Sequence, residues 1–174
     1  RLVANEIGVH GELEIEGNGV VVLRGGLFLA VLATINPGDE VISTNDLYGG
    51  SYRLFTKIFE KYGLVFHFTE MDNLSKIESL VNNNTKMIWV ETPTNPMMNI
   101  VDINGLSSIS KKFNLILAVD NTFATPFLQN PLDLGADLIM HSVTKYLGGH
   151  SDVVMGALCM NDDKLYEQLA FIHN

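Results

Sequence analysis

From residue 40 onward, short apolar runs alternate with polar-faced segments of helical length, and that alternation restricts the fold more than any other property of the chain. Residues 40–43 follow the turn signal Pro37-Gly38-Asp39 and have strand character. Residues 49–62 have helical length and stop at Gly63, a residue suited to a helix C-cap. Residues 64–68 are strand-like again, and Leu74, Ile77, Leu80 and Val81 then recur at helical spacing. Residues 86–90 predict a strand ending at Glu91. Ile103, Leu106, Ile109 and Phe113 mark one helix face, with Asp102 as its N-cap. Residues 115–119, 138–140 and 153–160 predict further strands, and Leu165, Leu169 and Ile172 a closing helix. Such alternation argues for βαβ units, hence an α/β domain whose mostly parallel sheet is covered by helices on both faces. No repeat, low-complexity tract or linker divides the chain, so residues 1–174 are expected to form one domain.

With 174 residues, 47% hydrophobic and 18% charged, the chain can build its own core. A formal net charge of -9 argues against nucleic acid and anionic membranes as partners, since both demand a basic surface. The apolar stretch around residues 27–35 is too short to span a bilayer, and the acids and glycines near the start do not resemble a signal peptide. The single cysteine, Cys159, lies in an apolar segment and is expected as a buried thiol. A soluble, reducing, cytoplasmic setting is expected. The histidines at 10, 67, 141, 150 and 173 show no metal-ligand spacing, so no metal site is expected.

Ligands of open parallel sheets bind beyond the carboxyl ends of the strands. Three chemical clusters fall there: residues 91–95, 120–122 and 141–145. In the last, Lys145 stands beside the hydroxyls of Ser142 and Thr144 and ahead of Gly148-Gly149, which as a set suits a lysine nucleophile near a phosphate. Asp120 ends an apolar run and is either a turn carboxylate or an acceptor for a cationic ring nitrogen; Thr122 is placed to add a hydroxyl contact on the same ring face. A lysine that forms a Schiff base and a carboxylate that keeps a pyridine nitrogen protonated are the two groups pyridoxal phosphate (PLP) needs most. Tyr48, followed by Gly49-Gly50, is either a packing residue or a platform that stacks on a flat ring, with a hydroxyl able to act as acid or base. The turn Glu91-Thr92-Pro93-Thr94-Asn95-Pro96 offers two X-Pro bonds for the cis form and an Asn95 able to donate to a phenolate oxygen. Arg24-Gly25-Gly26-Leu27 precedes an apolar helix whose first backbone amides suit a phosphate. Ser142-Val143-Thr144-Lys145 also fits the S-x-x-K pattern of serine hydrolases that act on β-lactams. That pattern wants S-D-N and K-T-G downstream, where this chain has Ser151-Asp152-Val153 and no K-T-G.

With those residues in view, the chain resembles the Cys/Met-metabolism family of PLP enzymes, which includes cystathionine γ-synthase, γ-lyase and β-lyase and methionine γ-lyase. The runs that carry the resemblance are PGDEVIS at 37–43, DLYGGSYRLF at 46–55, VETPTNP at 90–96, VDNTFATPFLQNPLDLGADLIMHS at 119–142 and VTKYLGGHSDVVMG at 143–156. The resemblance implies the large domain of a fold-type I PLP-dependent transferase. It implies Lys145 as the Schiff-base lysine and later proton shuttle, and Asp120 as partner of the pyridinium. It further implies Tyr48 stacked on the ring, Asn95 on the ring hydroxyl side, and Ser142, Thr144 and the amides of Gly26 and Leu27 on the phosphate. It also implies a small amino-acid substrate and a homo-oligomer, dimeric or tetrameric, that shares its sites between subunits.

Residues 1–36 match the family pattern least: Arg24-Gly25-Gly26-Leu27 stands where Ser-Ser-Gly-Met or Ser-Gly-Leu is usual. The family continues past residue 174 into a smaller C-terminal domain that holds the substrate carboxylate, so the chain is expected to be the large domain of a longer protein. The resemblance favours cystathionine γ-synthase, which replaces the γ-substituent of an O-acylhomoserine with cysteine. Cystathionine γ-lyase and a truncated, non-catalytic domain of the same fold are the alternatives.

Overall fold

The computed structural model describes residues 19–23 and 26–173. Its elements run β1 (Gly19–Leu23), α1 (Gly26–Thr34), β2 (Glu40–Thr44), α2 (Gly49–Lys57), a 3-10 turn (Phe59–Tyr62), β3 (Val65–Thr69), α3 (Leu74–Leu80), β4 (Thr85–Glu91), α4 (Ile103–Phe113), β5 (Ile116–Asp120), α5 (Thr125–Leu128), β6 (Leu138–Ser142), β7 (Gly156–Met160) and α6 (Asp163–His173). They build one seven-stranded sheet in the order β1-β7-β6-β5-β4-β2-β3. The run from β3 to β6 is parallel, whereas β7 is antiparallel to both β6 and β1. The α/β architecture with a mostly parallel sheet is therefore the observed one.

Strand alternation divides the core in two. Val41, Met87, Trp89, Ala118, Leu138, Met140, Leu158 and Met160 face one side, where Ala30 and Val31 of α1, Phe55 of α2 and Leu165 and Leu169 of α6 cover them. Ile42, Ile88, Val90, Leu117 and Val119 face the other, against Ile77 of α3 and Ile103, Leu106 and Ile109 of α4. An interior strand buried on both faces needs apolar residues at nearly every position, which is why β4 and β5 read as unbroken apolar runs. Trp89 is fully buried at the centre of the first layer, edge-on to Phe55 at 5.9 Å, and Phe55 in turn stacks on Phe66 at 4.5 Å.

Several boundaries differ from the expectation. The helix from Gly49 ends at Lys57, and the chain tightens into the 3-10 turn so that Phe59 buries beside Phe55 and Phe66; Gly63, at φ 85, closes that turn rather than an α-helix. The Asp102 side chain does cap α4, accepting from Gly105 N at 3.0 Å. Phe113 lies at the helix end, 38% exposed, under the Lys112 ammonium rather than in the core. Ile172 is likewise 45% exposed, so α6 buries Leu165 and Leu169 without it. Residues 153–155 stay outside β7, because Met155 is engaged by Thr144 instead of by a strand partner. Cys159 is buried in β7. Strand β1 and the short α5 have no counterpart in the sequence reading. The expectation on Arg24-Gly25 lies outside the described residues.

Candidate active site

The central parallel strands aim one chemical group each at the same edge. Glu91, Asp120 and Ser142 end β4, β5 and β6, and each shares the sheet face of Trp89, Ala118 and Met140. Register aligns them: Glu91 pairs with Asp120, and Asp120 with Met140. Beyond these ends lies a cavity of about 540 Å³, a size typical of small-molecule sites. Among its lining residues are Leu27, Tyr48, Asn95, Asp120, Thr122, Ser142, Thr144 and Lys145. Every candidate named from the sequence thus comes together here except Gly26, which opens α1 immediately before Leu27.

Asp120 is 6% exposed. Its Oδ1 accepts two hydrogen bonds from Thr122, from N at 3.0 Å and from Oγ1 at 2.6 Å. Thr122 Oγ1 in turn accepts from Ser142 N at 2.8 Å, so a relay of donors crosses from β6 to the carboxylate. Thr122 therefore spends its proton on Asp120 and acts on the carboxylate rather than as a donor to a ring. Oδ2 has no hydrogen bond among the described residues. Burial raises the Asp120 carboxyl to about 6, against the two Thr122 hydrogen bonds. In a wall with no cation paired to it among the described residues, that oxygen is suited to a ligand's cationic N–H.

Lys145 sits in a turn fixed on every side. Its N–H donates to Ser142 O at 3.0 Å, and its carbonyl accepts from Gly149 N at 2.8 Å. Thr144 is clamped to Met155 by three bonds: N to O at 3.1 Å, Oγ1 to O at 3.1 Å, and Met155 N to Oγ1 at 2.9 Å. The Thr144 hydroxyl thus already donates to a carbonyl, and holding a phosphate with its proton requires that it turn away from Met155. Gly148 must be small, since a Cβ there would stand 2.6 Å from Val143 O, and Gly149 takes φ 77. The Lys145 side chain itself is exposed and has no ion-pair partner among the described residues.

The rim is equally ordered. Both Thr92–Pro93 and Asn95–Pro96 peptides are cis, and they carry Asn95 to the cavity. Gln129 Nε2 donates to Thr92 O at 3.2 Å and to Asn121 Oδ1 at 2.8 Å, while Asn121 Nδ2 donates to Gln129 O at 2.9 Å. The loops after β4 and β5 are thereby joined. Tyr48 is half-exposed at the N-terminus of α2. A Cβ on Gly50 would lie 2.3 Å from Tyr48 Cε1, so the ring rests directly on the glycine.

Two titratable lining residues, both inside the strand-end clusters at 91–95 and 141–145, were given no role of their own in the sequence reading. Glu91, 5% exposed, accepts from Tyr48 N at 2.9 Å. Burial, then the neighbouring Asp120 charge, push it up to about 8, with Asp46 adding to the rise and the Tyr48 N–H opposing it. His141, 2% exposed, is driven down to about 4 by burial, opposed by the Asn121 backbone, and its Nδ1 has no hydrogen-bond partner among the described residues. Strand parity was the available signal for Glu91, which is level with Asp120 across the sheet. His141 was flagged only by its place at the start of the 141–145 cluster.

An exposed amine, a buried carboxylate with an open oxygen and a phenol ring around one cavity define an α/β domain equipped to bind an aromatic aldehyde cofactor through a lysine. Residues 12–174 match the Cys/Met metabolism PLP-dependent enzyme family, and the chain belongs to it. Over 150 residues it is 47% identical to cystathionine gamma-lyase of Dictyostelium discoideum, a match spanning 84% of this chain and 39% of that protein. Over 139 residues it is 48% identical to cystathionine gamma-synthase/O-acetylhomoserine (thiol)-lyase of Bacillus subtilis (strain 168), spanning 80% of this chain and 37% of that protein. The solved structure of cystathionine gamma-lyase from Lactobacillus plantarum, complexed with L-serine, superposes with a TM-score of 0.87 at 35% identity, over 90% of this chain and 42% of that one. The chain thus spans about two fifths of the length of these relatives. PLP is the family's cofactor, and the cavity's donor set fits it: Asp120 Oδ2 is open to a pyridinium, and Lys145 lines the same cavity.

Proposed function

We propose that the polypeptide containing this chain is a PLP-dependent trans-sulfuration enzyme, cystathionine γ-synthase, joining an O-acylhomoserine to cysteine by γ-replacement. The observation that carries the reading is the convergence of Lys145, Asp120 and Tyr48 on one cavity. PLP, when bound, supplies an electron sink for carbanions next to the amino-acid nitrogen. Lys145 Nζ anchors the cofactor and then takes and returns protons at the substrate α- and β-carbons. Asp120 holds the ring-nitrogen proton, with Thr122 fixing the carboxylate's orientation. Tyr48 packs on the ring, Asn95 meets its hydroxyl side, and Ser142, the first amides of α1 at Gly26 and Leu27, and Thr144 once its hydroxyl turns from Met155, hold the phosphate. A pair or tetramer of subunits in the cytoplasm is part of the proposal; among the described residues no helix is long and apolar enough to cross a membrane.

Cystathionine γ-lyase is the second reading, favoured by the 47% identity to the Dictyostelium discoideum enzyme of that name. Assay of the polypeptide containing this chain separates the two. Cystathionine formation from O-succinylhomoserine and cysteine supports the synthase, and cystathionine breakdown without it supports the lyase. Borohydride reduction with PLP followed by peptide mapping should label Lys145; an unlabelled Lys145 would favour a non-catalytic domain.

Gly50 offers a test of the Tyr48 role. In Gly50→Ala the added methyl displaces the ring from its seat, and aromatic packing is worth about 1 kcal/mol, so PLP affinity should fall roughly fivefold. Fluorescence titration with PLP measures it, and undiminished affinity would remove Tyr48 from the stacking role.

A further inference from the structure

Glu91 has no part in the reaction as assigned above, yet it lies against the group that pairs with the cofactor. It ends β4 on the same sheet face as Asp120 and is its partner across the ladder. Neighbouring strands run about 4.8 Å apart, so two carboxyl groups share one buried wall. Each charge so placed opposes the other, so near neutral pH one of the two carboxyls retains its proton. The hydrogen bonds decide which. Asp120 Oδ1 accepts from both Thr122 N and Thr122 Oγ1, and each bond favours the anion. Glu91 accepts a single bond, from Tyr48 N to Oε2 at 2.9 Å, which leaves Oε1 to carry the proton.

Resting on the PLP reading above, we infer that Glu91 is a positioning residue: it is the protonated member of a carboxyl pair with Asp120, and its bond to Tyr48 N holds the aromatic platform over the site. It ties the loop that carries the ring to the strand beside the carboxylate. It does so without adding a second negative charge beside Asp120.

The surrounding charges agree with this assignment. Asp120 faces Glu91 from β5, and Asp46 and Tyr48 approach from the loop between β2 and α2. His141 of β6 and Lys145 of the following turn also line the cavity. His141 is held uncharged by burial and supplies no counter-charge, and Lys145 makes no ion pair with either carboxyl group. With burial as the main cause, the Glu91 carboxyl rises to about 8 while Asp120 reaches only about 6, so Asp120 is the first of the two to ionise.

The test uses the polypeptide containing this chain, free of PLP, labelled with carbon-13 at glutamate carboxyls and nitrogen-15 at tyrosine. One carboxyl resonance, absent from Glu91→Gln, should titrate near pH 8, and the Tyr48 amide should follow with the same midpoint in the wild type only. A Glu91 midpoint below 6, or a Tyr48 amide indifferent to it, overturns the inference. With PLP added at pH 7, Glu91→Gln should bind within about twofold of wild type, because the amide oxygen still accepts from Tyr48 N. Glu91→Ala strands that N–H and should bind about tenfold more weakly. Equal weakening in both variants also overturns it. Failure of the wild type itself to bind PLP would strike the proposed function instead, while the two titrations still decide Glu91.

Discussion

Lys145→Ala should abolish covalent labelling by PLP and borohydride and lower turnover of the polypeptide containing this chain at least about 10³-fold. Under the proposed function two roles are lost at once, the amine that anchors the cofactor and the base that moves protons on the substrate. The fold should not notice. The side chain is exposed and makes no ion pair among the described residues, and the turn is held by the backbone of residues 142, 145 and 149, which alanine keeps. Thermal unfolding should therefore stay within about 0.5 kcal/mol of wild type. Mass spectrometry after reduction reads the label, and persistence of one PLP adduct per chain in the variant would place the reactive amine elsewhere.

Asp120→Asn should produce a comparable fall in turnover, about 10²–10³-fold, through a different route. The amide oxygen still accepts from Thr122, so the relay survives, but the charge that pairs with a ring N–H is gone. Removing one member of a buried charged pair costs about 3–5 kcal/mol. PLP affinity should weaken with turnover. Without PLP the sign reverses. The native Asp120 carboxyl titrates at about 6, above its ordinary 3.8, so its favourable contribution is complete below 3.8 and is lost as pH rises through 6. At pH 8 the anion is a burden that asparagine lacks, and the cofactor-free variant should resist urea better than wild type, by no more than about 3 kcal/mol. The advantage should vanish toward pH 4. A variant less stable than wild type at pH 8 would mean that the carboxylate is satisfied by contacts within the fold and is not held in readiness for a ligand.

That opposition between stability and binding explains which parts of the molecule could be read in advance. Core strands obey a local rule: β4 and β5 are apolar because both faces are covered, and helix α4 declares itself through Asp102 and the spacing of Ile103, Leu106 and Ile109. Asp120 and Lys145 were legible because each breaks that rule at a strand end. Glu91 breaks it too, but its significance depends on register, which pairs it with Asp120 across 28 residues of intervening chain. The Thr144–Met155 clamp also arises from a contact distant in sequence, and it both shortened β7 and redirected the Thr144 hydroxyl. Ile172 and Phe113 fit a helical period yet fall where the helix ends run past the sheet, so spacing alone placed them wrongly.

The turn around Lys145 has a kinetic consequence. Its backbone N–H and carbonyl are both engaged, and the neighbouring residue is fastened to Met155. Under the proposed function, movement of the free amine would be confined to rotation about the side-chain bonds, which for an exposed side chain takes picoseconds to nanoseconds. Turnover in enzymes is commonly about 10 s⁻¹, slower by many orders of magnitude. In the role proposed for it, the amine, once released from the cofactor, would reorient many times within a cycle while its backbone stays held by residues 142 and 149.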